Sequence, residues 1–195
     1  LPPDGLHRFE AIAPNDLWQG DTKHGPFLPD PLHSGRMRKT YLIGFMDDYS
    51  RFILHGEWFW ADDIYSLEIT FQKALLRKGK PKRVYVDRGL SYQSNVFRTA
   101  CAELGIRHIS GTAYHPEGRG KLERFWQCVD NEFLLEMRQD PVDTLEELNK
   151  RFWAWLDEVY HCRVNSETNA TPLTRFTSID LPPLEHPERL AEVFL

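Results

Sequence analysis

Residues 83–89 of this 195-residue chain read RVYVDRG, a short apolar strand that runs directly into a carboxylate, Asp87. A helix is predicted before this strand, over residues 67–79, because apolar side chains recur there at helical spacing and a glycine ends the pattern. A second helix over residues 96–105 and a strand over residues 107–110 are predicted after it. Strands that alternate with helices predict an α/β domain containing parallel strands.

Three further strands are predicted upstream, over Asp16–Asp21, Thr40–Asp47 and Phe52–Trp60. They are rich in β-branched and aromatic residues, and Gly, Pro, Asp and Ser separate them. The second and third are joined by the short stretch 48–51, which predicts a hairpin. An antiparallel unit followed by an α/β alternation predicts a mixed sheet with helices on its faces.

Two long helices are predicted after the sheet. Apolar side chains recur at helical spacing between residues 122 and 133. The second helix opens with a capping box, Thr144 followed by Glu147, and its apolar face is predicted to include Val159. Trp153 lies off this face, so a core position and a subunit contact both stay open for it.

The composition excludes several classes of protein. With 41% hydrophobic and 27% charged residues, the chain can bury a core. No run of apolar residues is close in length to the about 18 residues that a membrane-spanning helix needs. The first residues also lack the pattern of a signal peptide. The chain begins with Leu1, which suggests a piece of a longer protein. Its three cysteines are widely spaced, which argues against disulfides or a zinc site and favours a reducing cytoplasm.

The net charge of −5 argues by itself against a nucleic-acid partner. However, the charge is uneven along the chain. Residues 1–129 contain 18 basic and 15 acidic residues, whereas residues 130–195 contain 6 basic and 14 acidic ones. The acidic surplus belongs to the C-terminal third, which is therefore not expected to face nucleic acid.

Three carboxylates are the candidate catalytic residues. Asp21 and Asp87 are predicted at the ends of the first and fourth strands, where open α/β sheets place ligands. Glu123 lies at the edge of the apolar stripe of the first long helix. Three converging carboxylates repel one another unless a cation holds them, and hard oxygen ligands suit Mg²⁺ or Mn²⁺. Two such ions can promote in-line displacement at phosphorus.

Asp87 and Glu123 have 35 residues between them, and four stretches around the acids have a recognisable order. The stretches are YLIGFMDDYSR (41–51), VDRG (86–89), HPEGRGKLER (115–124) and YHCRVNSETNATPLTRF (160–176). The D-D-35-E spacing and these stretches resemble the DDE-type transposase/integrase core, the retroviral-integrase-like core of bacterial insertion-sequence transposases. The resemblance covers roughly residues 15–176.

The resemblance implies an α/β fold of the RNase H-like type. Its five-stranded mixed sheet has the order 3-2-1-4-5, with the second strand antiparallel and helices on both faces. The expected organisation is an N-terminal extension over residues 1–14, the catalytic core over residues 15–165 and an extended C-terminal segment over residues 166–195.

The resemblance also implies an activity. Asp21, Asp87 and Glu123 would be the catalytic and metal-binding triad, holding two Mg²⁺ or Mn²⁺ ions with Asp21 bridging them. The expected reactions are hydrolysis at a transposon end and strand transfer into target DNA. The expected protein is a homo-oligomer on DNA, in the bacterial cytoplasm at the nucleoid and without a membrane association.

Four residues near the catalytic glutamate are candidate DNA contacts, because basic groups there could bind phosphates without reading sequence. They are His115, Arg119, Lys121 and Arg124. The alternatives are a solvated loop histidine and a solvated basic face. The same ambiguity applies to two further basic sets, Arg36, Arg38 and Lys39, and Lys73, Arg77, Lys78, Lys80, Lys82 and Arg83.

Two nearby features are interpreted separately. Asp47 and Asp48 are rival acids at a strand end, which we interpret as turn residues pairing with Arg51. The helix of the catalytic glutamate has Gln127 and Asp130 on the faces where retroviral relatives present lysines to DNA.

Three alternative functions stay open. One is an RNase H-like nuclease that catalyses hydrolysis without strand transfer. Another is a catalytically idle domain that keeps the fold and binds nucleic acid or protein. A sugar or phosphoester hydrolase with paired carboxylates is the third, and the motifs above are not those of such enzymes.

Overall fold

The computed structural model describes residues 10–86, 95–109 and 120–194, and a five-stranded sheet is the centre of this part. The sheet order is β3-β2-β1-β4-β5. Strand β2 is antiparallel to both neighbours, whereas β4 is parallel to β1 and β5. The predicted mixed sheet of an RNase H-like fold is confirmed. The strands are β1 Leu17–Pro29, β2 Met37–Asp47, β3 Ile53–Phe59, β4 Arg83–Val86 and β5 Arg107–Ile109.

Helices cover both faces of the sheet. They are α1 Ile64–Lys78, α2 Asn95–Glu103, α3 Gly120–Cys128, α4 Leu134–Gln139, α5 Leu145–Trp155, α6 Pro172–Phe176 and α7 Leu190–Val193. The Asp63 side chain caps the start of α1, and Gly79 ends the helix with a positive φ of 79°, as its sequence pattern predicts. Thr144 caps α5 by accepting from the Glu147 backbone N–H at 3.2 Å.

Strand β1 is longer than the sequence predicts. The prediction ends it at Asp21, but it continues to Pro29, which pairs with Met37 of β2. Gly25 and Pro26 look like turn residues in the sequence. They are accommodated because the β1–β2 register shifts around them and because this half of β1 does not pair with β4. The prediction that Asp21 ends the strand was therefore wrong, since Asp21 lies inside it.

Strand alternation divides the apolar side chains between two cores. On one face, Phe45 packs against Phe71 of α1, with ring centroids 5.0 Å apart. On the other face, Trp58 packs against Phe152 of α5 at 5.8 Å. Helices α1 and α2 belong to the first core, and α3 and α5 belong to the second. The central strands are thereby buried on both faces.

The C-terminal segment packs onto the first core. Helices α6 and α7 lie within residues 166–195 and bury Phe176 and Leu190. Phe194 contacts Phe71 edge to face, with ring centroids 6.2 Å apart. The division of the chain at residue 165 stays a prediction, and the structure adds that the segment beyond it contributes to the core.

Side chains from α5 and its continuation cover the edge strand β3. The Asn149 side chain accepts from the Trp58 backbone N–H (2.7 Å) and donates to its carbonyl oxygen (3.0 Å). Trp153 Nε1 donates to the Gly56 carbonyl oxygen at 2.8 Å. His161 Nε2 accepts from the Ile53 backbone N–H at 3.1 Å. These bonds occupy groups that an exposed edge strand would offer to another chain, which explains Trp153 without a subunit contact.

Two π-helical turns interrupt the long helices, over Val129–Phe133 and Leu156–Tyr160. Each inserts a wider turn that rotates the following residues around the axis. Val159 lies within the second of these turns and is 42% exposed, so the prediction that it joins the apolar face of the last helix was wrong.

Two expectations from composition can be compared with the described residues. Within the described ranges, no helix has the length and hydropathy to cross a membrane. All three cysteines are described, and each has a free thiol, as predicted. Burial raises the pKa of the Cys101 thiol to about 12, which keeps it protonated.

Candidate active site

Asp21 lies where the central strand loses one of its partners. Gly20 pairs with Val86 at the end of the parallel β1–β4 ladder, and Asp21 is the next residue of β1. On the other side, Asp21 pairs with Gly44 of β2. Its side chain is half-buried. Asp21 therefore lies at the carboxyl end of the parallel pair, although it does not lie at the end of its own strand.

A tryptophan on helix α3 is hydrogen-bonded to this carboxylate. Trp126 Nε1 donates to Asp21 Oδ2 at 3.0 Å, and the indole is only 8% exposed. A Cβ atom on Gly44 would approach the indole to 3.2 Å, so the glycine provides close clearance for the ring. These two contacts place α3 against β1, which carries Asp21, and against β2, which carries Gly44.

Glu123 is exposed in the first turn of α3, three residues before Trp126. Residues at i and i+3 lie on one face of a helix. Glu123 therefore lies within one helical turn of the residue that binds Asp21. The amino-terminal end of a helix also favours a carboxylate, because its free N–H groups are positive.

Three predicted site residues lie outside the described residues, namely Asp87, His115 and Arg119. Asp87 follows Val86 directly in the sequence. Among residues 10–86, 95–109 and 120–194, no group of three His, Cys, Asp or Glu side chains could hold a metal ion.

The two described cations near Glu123 are engaged in ion pairs. Lys121 Nζ lies 2.7 Å from Asp48 Oδ1, and its side chain is only 9% exposed. Burial lowers the pKa of Lys121, and the charge of Asp48 opposes that change. Arg124 is half-exposed and lies 2.5 Å from a carboxylate oxygen of Glu167. DNA contact by Lys121 and Arg124 stays a prediction.

The rival acids Asp47 and Asp48 have a structural role, as interpreted from the sequence. Asp47 accepts from the backbone N–H groups of Asn15 and Ser50, both at 2.8 Å, and from the Ser50 hydroxyl at 2.6 Å. Burial raises the pKa of Asp47 to about 6. Asp48 accepts from the Ala11 backbone N–H at 2.7 Å and from the Gln19 side chain at 2.5 Å.

The expected pairing of these acids with Arg51 was wrong. The Arg51 guanidinium donates to the Asp48 carbonyl oxygen, and its ion pairs are with Glu10 at 3.5 Å and Glu167 at 3.7 Å. The reason is that neighbouring N–H groups and Lys121 already occupy the two carboxylates.

Sequence reasoning missed Trp126 and Lys23. Lys23 Nζ lies 2.7 Å from Asp130 Oδ2, so this acid pairs with a cation of β1. Periodicity places both residues beside a predicted acid, although it does not specify what they bind. Trp126 is at i+3 from Glu123 on a helix, and Lys23 is at i+2 from Asp21, where side chains of a strand return to the same face.

Comparisons with known proteins identify similar chains. The transposase for transposon Tn552 of Staphylococcus aureus is 28% identical over 188 residues, which cover 87% of this chain and 38% of that transposase. A chain of the simian T-cell lymphotropic virus intasome, solved with PP2A regulatory subunit B56 gamma, superposes with a TM-score of 0.74 at 22% identity. That match covers 92% of this chain and 60% of the intasome chain.

The HTLV-2 integrase catalytic core domain, solved in complex with magnesium in a trimeric form, superposes with a TM-score of 0.65 at 21% identity. This match covers 86% of this chain and 99% of that domain. The present chain therefore has the fold of that domain, and it spans 38% of the length of the Tn552 transposase. A family model described as the integrase core domain matches residues 11–116, more than half of the chain. The chain belongs to the integrase core domain family.

Proposed function

We propose that this chain is the catalytic core of a DDE transposase or integrase. It hydrolyses DNA at the ends of a mobile element and joins the freed 3′-hydroxyl to target DNA. The proposal extends family membership to an activity on DNA. It further assigns the protein to the bacterial cytoplasm at the nucleoid, as a homo-oligomer, because a pair of ends must be processed together.

One contact carries the proposal, the 3.0 Å hydrogen bond from Trp126 Nε1 to Asp21 Oδ2. It links the strand of one predicted catalytic acid to the helix of another, although the two acids are 102 positions apart (123 − 21) in the sequence. The remaining acid, Asp87, follows the strand residue Val86, which is in the same sheet register as Gly20. Two of the three acids thus belong to elements in contact, β1 and α3, and the third follows directly after β4, which pairs with β1.

The donor set fits the proposed metal. Asp21, Asp87 and Glu123 offer carboxylate oxygens, which are the ligands that Mg²⁺ and Mn²⁺ prefer. A carboxylate has about four acceptor sites, so the bond from Trp126 is compatible with metal binding by Asp21. When bound, two ions would supply activation of the attacking hydroxyl and charge neutralisation at the leaving oxygen.

The residues of the chain have defined roles in this proposal. Asp21, Asp87 and Glu123 hold the ions, and Trp126 orients the Asp21 carboxylate. Catalysis then rests on positioning and on charge neutralisation, and it requires no covalent nucleophile from the protein.

An oligonucleotide assay tests the proposal. Labelled duplexes ending in the terminal sequences of the mobile element would be incubated with the protein, Mg²⁺ and unlabelled target DNA. We expect nicked ends and a longer joined product, both absent with Asp21→Asn. Nicking without a joined product would instead favour an RNase H-like nuclease. No cleavage together with no detectable Mn²⁺ binding would favour an idle interaction domain.

A further inference from the structure

A basic pocket of about 150 Å³ lies beside helix α3. Its lining contains four cations and one carboxylate, together with a buried tyrosine. These residues are Arg51, Lys121, Arg124, Arg163, Glu167 and Tyr160. Pockets with this excess of basic side chains are suited to an anion.

The pocket is separate from the candidate active site. Helix α3 lines it through Lys121, Arg124 and Cys128, which recur at i, i+3 and i+7 and share one face. Glu123 and Trp126 share another face, and Trp126 points to Asp21. The pocket and the candidate catalytic carboxylate therefore lie on different sides of one helix.

Arg51 is the buried cation of the pocket. Its side chain is 7% exposed, and the carboxylates of Glu10 and Glu167 lie at the long distances of 3.5 and 3.7 Å. Within the described part of the chain, the buried Arg51 Nε has no hydrogen-bond partner. A desolvated guanidinium with an unused donor favours a close oxyanion, because charge-assisted bonds of this type are strong.

The carboxylate of Glu167 is an anion that this pocket already contains. One of its oxygens lies 2.5 Å from Arg124 NH1, and the other lies 3.7 Å from Arg51 NH2. Glu167 belongs to a turn that the backbone bridge between Asn165 and Ala170 closes, and its own N–H donates to Asn165 Oδ1 at 2.9 Å. The C-terminal segment thus supplies a carboxylate that connects two of the four cations.

The other cations are paired with acids from outside the lining. Lys121 pairs with Asp48, and Arg163 pairs with Glu132 at 2.8 Å. Exchange of the Glu167 carboxylate for another oxyanion leaves both of these pairs intact. A backbone phosphate has one negative charge and two unesterified oxygens, as a carboxylate does, so it can replace Glu167 between the two guanidinium groups.

We propose that this pocket binds a phosphate group of a nucleic-acid backbone in exchange for the Glu167 carboxylate. The inference rests on the proposed function, which supplies the nucleic acid. Arg124 and Arg163 are 53% and 46% exposed, so the mouth is accessible to a polymer. Helix α3 separates the pocket from Glu123 by about 10 Å, the diameter of a helix, so a duplex bound at the active site passes nearby.

DNA binding without catalysis tests the proposal. Fluorescence anisotropy with a labelled duplex in EDTA would compare the wild type with Glu167→Gln and Arg163→Gln. We expect Glu167→Gln to tighten binding about fivefold, because the competing anion is removed. We expect Arg163→Gln to weaken binding about fivefold and to lower the salt slope by about 0.9, the value for one phosphate contact.

Matched variants control for net charge. Glu147 and Arg151 form a partly exposed ion pair at 2.9 Å on α5, outside the pocket. Glu147→Gln and Arg151→Gln change the net charge in the same way and should alter the affinity less than twofold. Thermal unfolding of all four variants shows whether each one is folded.

Free phosphate is the competing occupant. Inorganic phosphate, titrated at constant ionic strength, would be followed through the Arg Nε–Hε signals in NMR spectra. If phosphate saturates these signals while the Glu167 and Arg163 variants bind DNA as the wild type does, the pocket is a free-ion site and the proposal fails. Equal effects of the pocket variants and the α5 controls would also overturn it.

The outcome separates this inference from the proposed function. If the pocket variants change DNA affinity as expected but no joined product forms in the oligonucleotide assay, the pocket stands and the transposase activity fails. If joined product forms but the pocket variants leave affinity unchanged, only the inference about the pocket is overturned.

Discussion

Two pairs of acidic residues near the central strand differ in what surrounds them. Asp47 and Asp48 are fully buried, and backbone N–H groups, side chains and a lysine bind their oxygens. Asp21 is half-buried, and Glu123 is exposed on a helix that Trp126 connects to Asp21. Burial and local partners therefore divide four nearby carboxylates into two sets.

The difference separates acids that are built into the fold from the acids that are predicted to be catalytic. Buried carboxylates are tolerated when hydrogen bonds compensate for lost hydration, and Asp47 and Asp48 meet that condition. An acid that serves a metal must keep oxygen atoms accessible, which fits the positions of Asp21 and Glu123. Substitutions in the two pairs should therefore change different properties.

The largest effect is expected for the accessible pair. Asp21→Asn and Glu123→Gln should each lower the rate of DNA cleavage and joining about a thousandfold or more, because each removes a charged metal ligand. The unfolding midpoint in urea should change little. Product formation on labelled duplexes measures the first effect, and a large loss of stability in either variant would contradict the division between the pairs.

The next effect concerns the buried pair. Asp47→Ala removes three hydrogen bonds and leaves buried donors unpaired, so the free energy of unfolding should fall by about 3 kcal/mol. Urea denaturation followed by tryptophan fluorescence measures it. The folded fraction of this variant should keep its Mn²⁺ affinity, whereas loss of Mn²⁺ binding would show that Asp47 belongs to the metal site.

Stability should also depend on pH through a buried histidine. Burial lowers the pKa of His161 to about 4, below the ordinary value of 6.5. The neutral form is therefore favoured in the folded state, and its contribution is present above pH 6.5 and is lost as pH falls towards 4. Relative to His161→Gln, the wild type should lose about 2 kcal/mol over this range.

Urea denaturation at several pH values provides this measurement. The raised pKa of Asp47 contributes in the opposite direction, since its stabilising effect is lost as pH rises from 3.8 through about 6. That contribution is present in both proteins and cancels in the difference. Parallel pH profiles for the wild type and His161→Gln would contradict the prediction.

The smallest effect sharpens the link between the two predicted catalytic acids. Trp126→Phe keeps a buried aromatic ring but removes the N–H bond to Asp21, so Mn²⁺ affinity should fall about tenfold. Trp153→Phe is the matched control, because it removes an indole N–H bond to the Gly56 carbonyl oxygen of β3 and leaves the bond to Asp21 in place. The free energy of unfolding of both variants should fall by about 1 kcal/mol. If the two variants bind Mn²⁺ with equal affinity, Trp126 does not position the Asp21 carboxylate.

Much of the fold follows from local sequence signals. Short patterns predict the end of α1 at Gly79 and the Thr144 cap. The sheet order is predicted from the family resemblance. The length of β1 does not follow, because Gly25 and Pro26 resemble a turn, and only the pairing with β2 shows that they lie in a strand.

The candidate site was less accessible to sequence reasoning. The contact between Trp126 and Asp21 joins residues 105 positions apart, and no local pattern specifies such a partner. The same applies to Lys121, whose position near Glu123, the predicted catalytic glutamate, suggested an exposed cation. Its burial against Asp48 depends on how α3 packs on the sheet.

A crystal structure of the protein with Mn²⁺, located by anomalous scattering, tests the central claim most directly. We predict one or two ions with oxygens of Asp21, Asp87 and Glu123 at about 2.0–2.3 Å. A separation of more than about 10 Å between any two of these carboxylates, or Mn²⁺ bound by other residues, would contradict the account, because ligand bonds to such ions are near 2 Å.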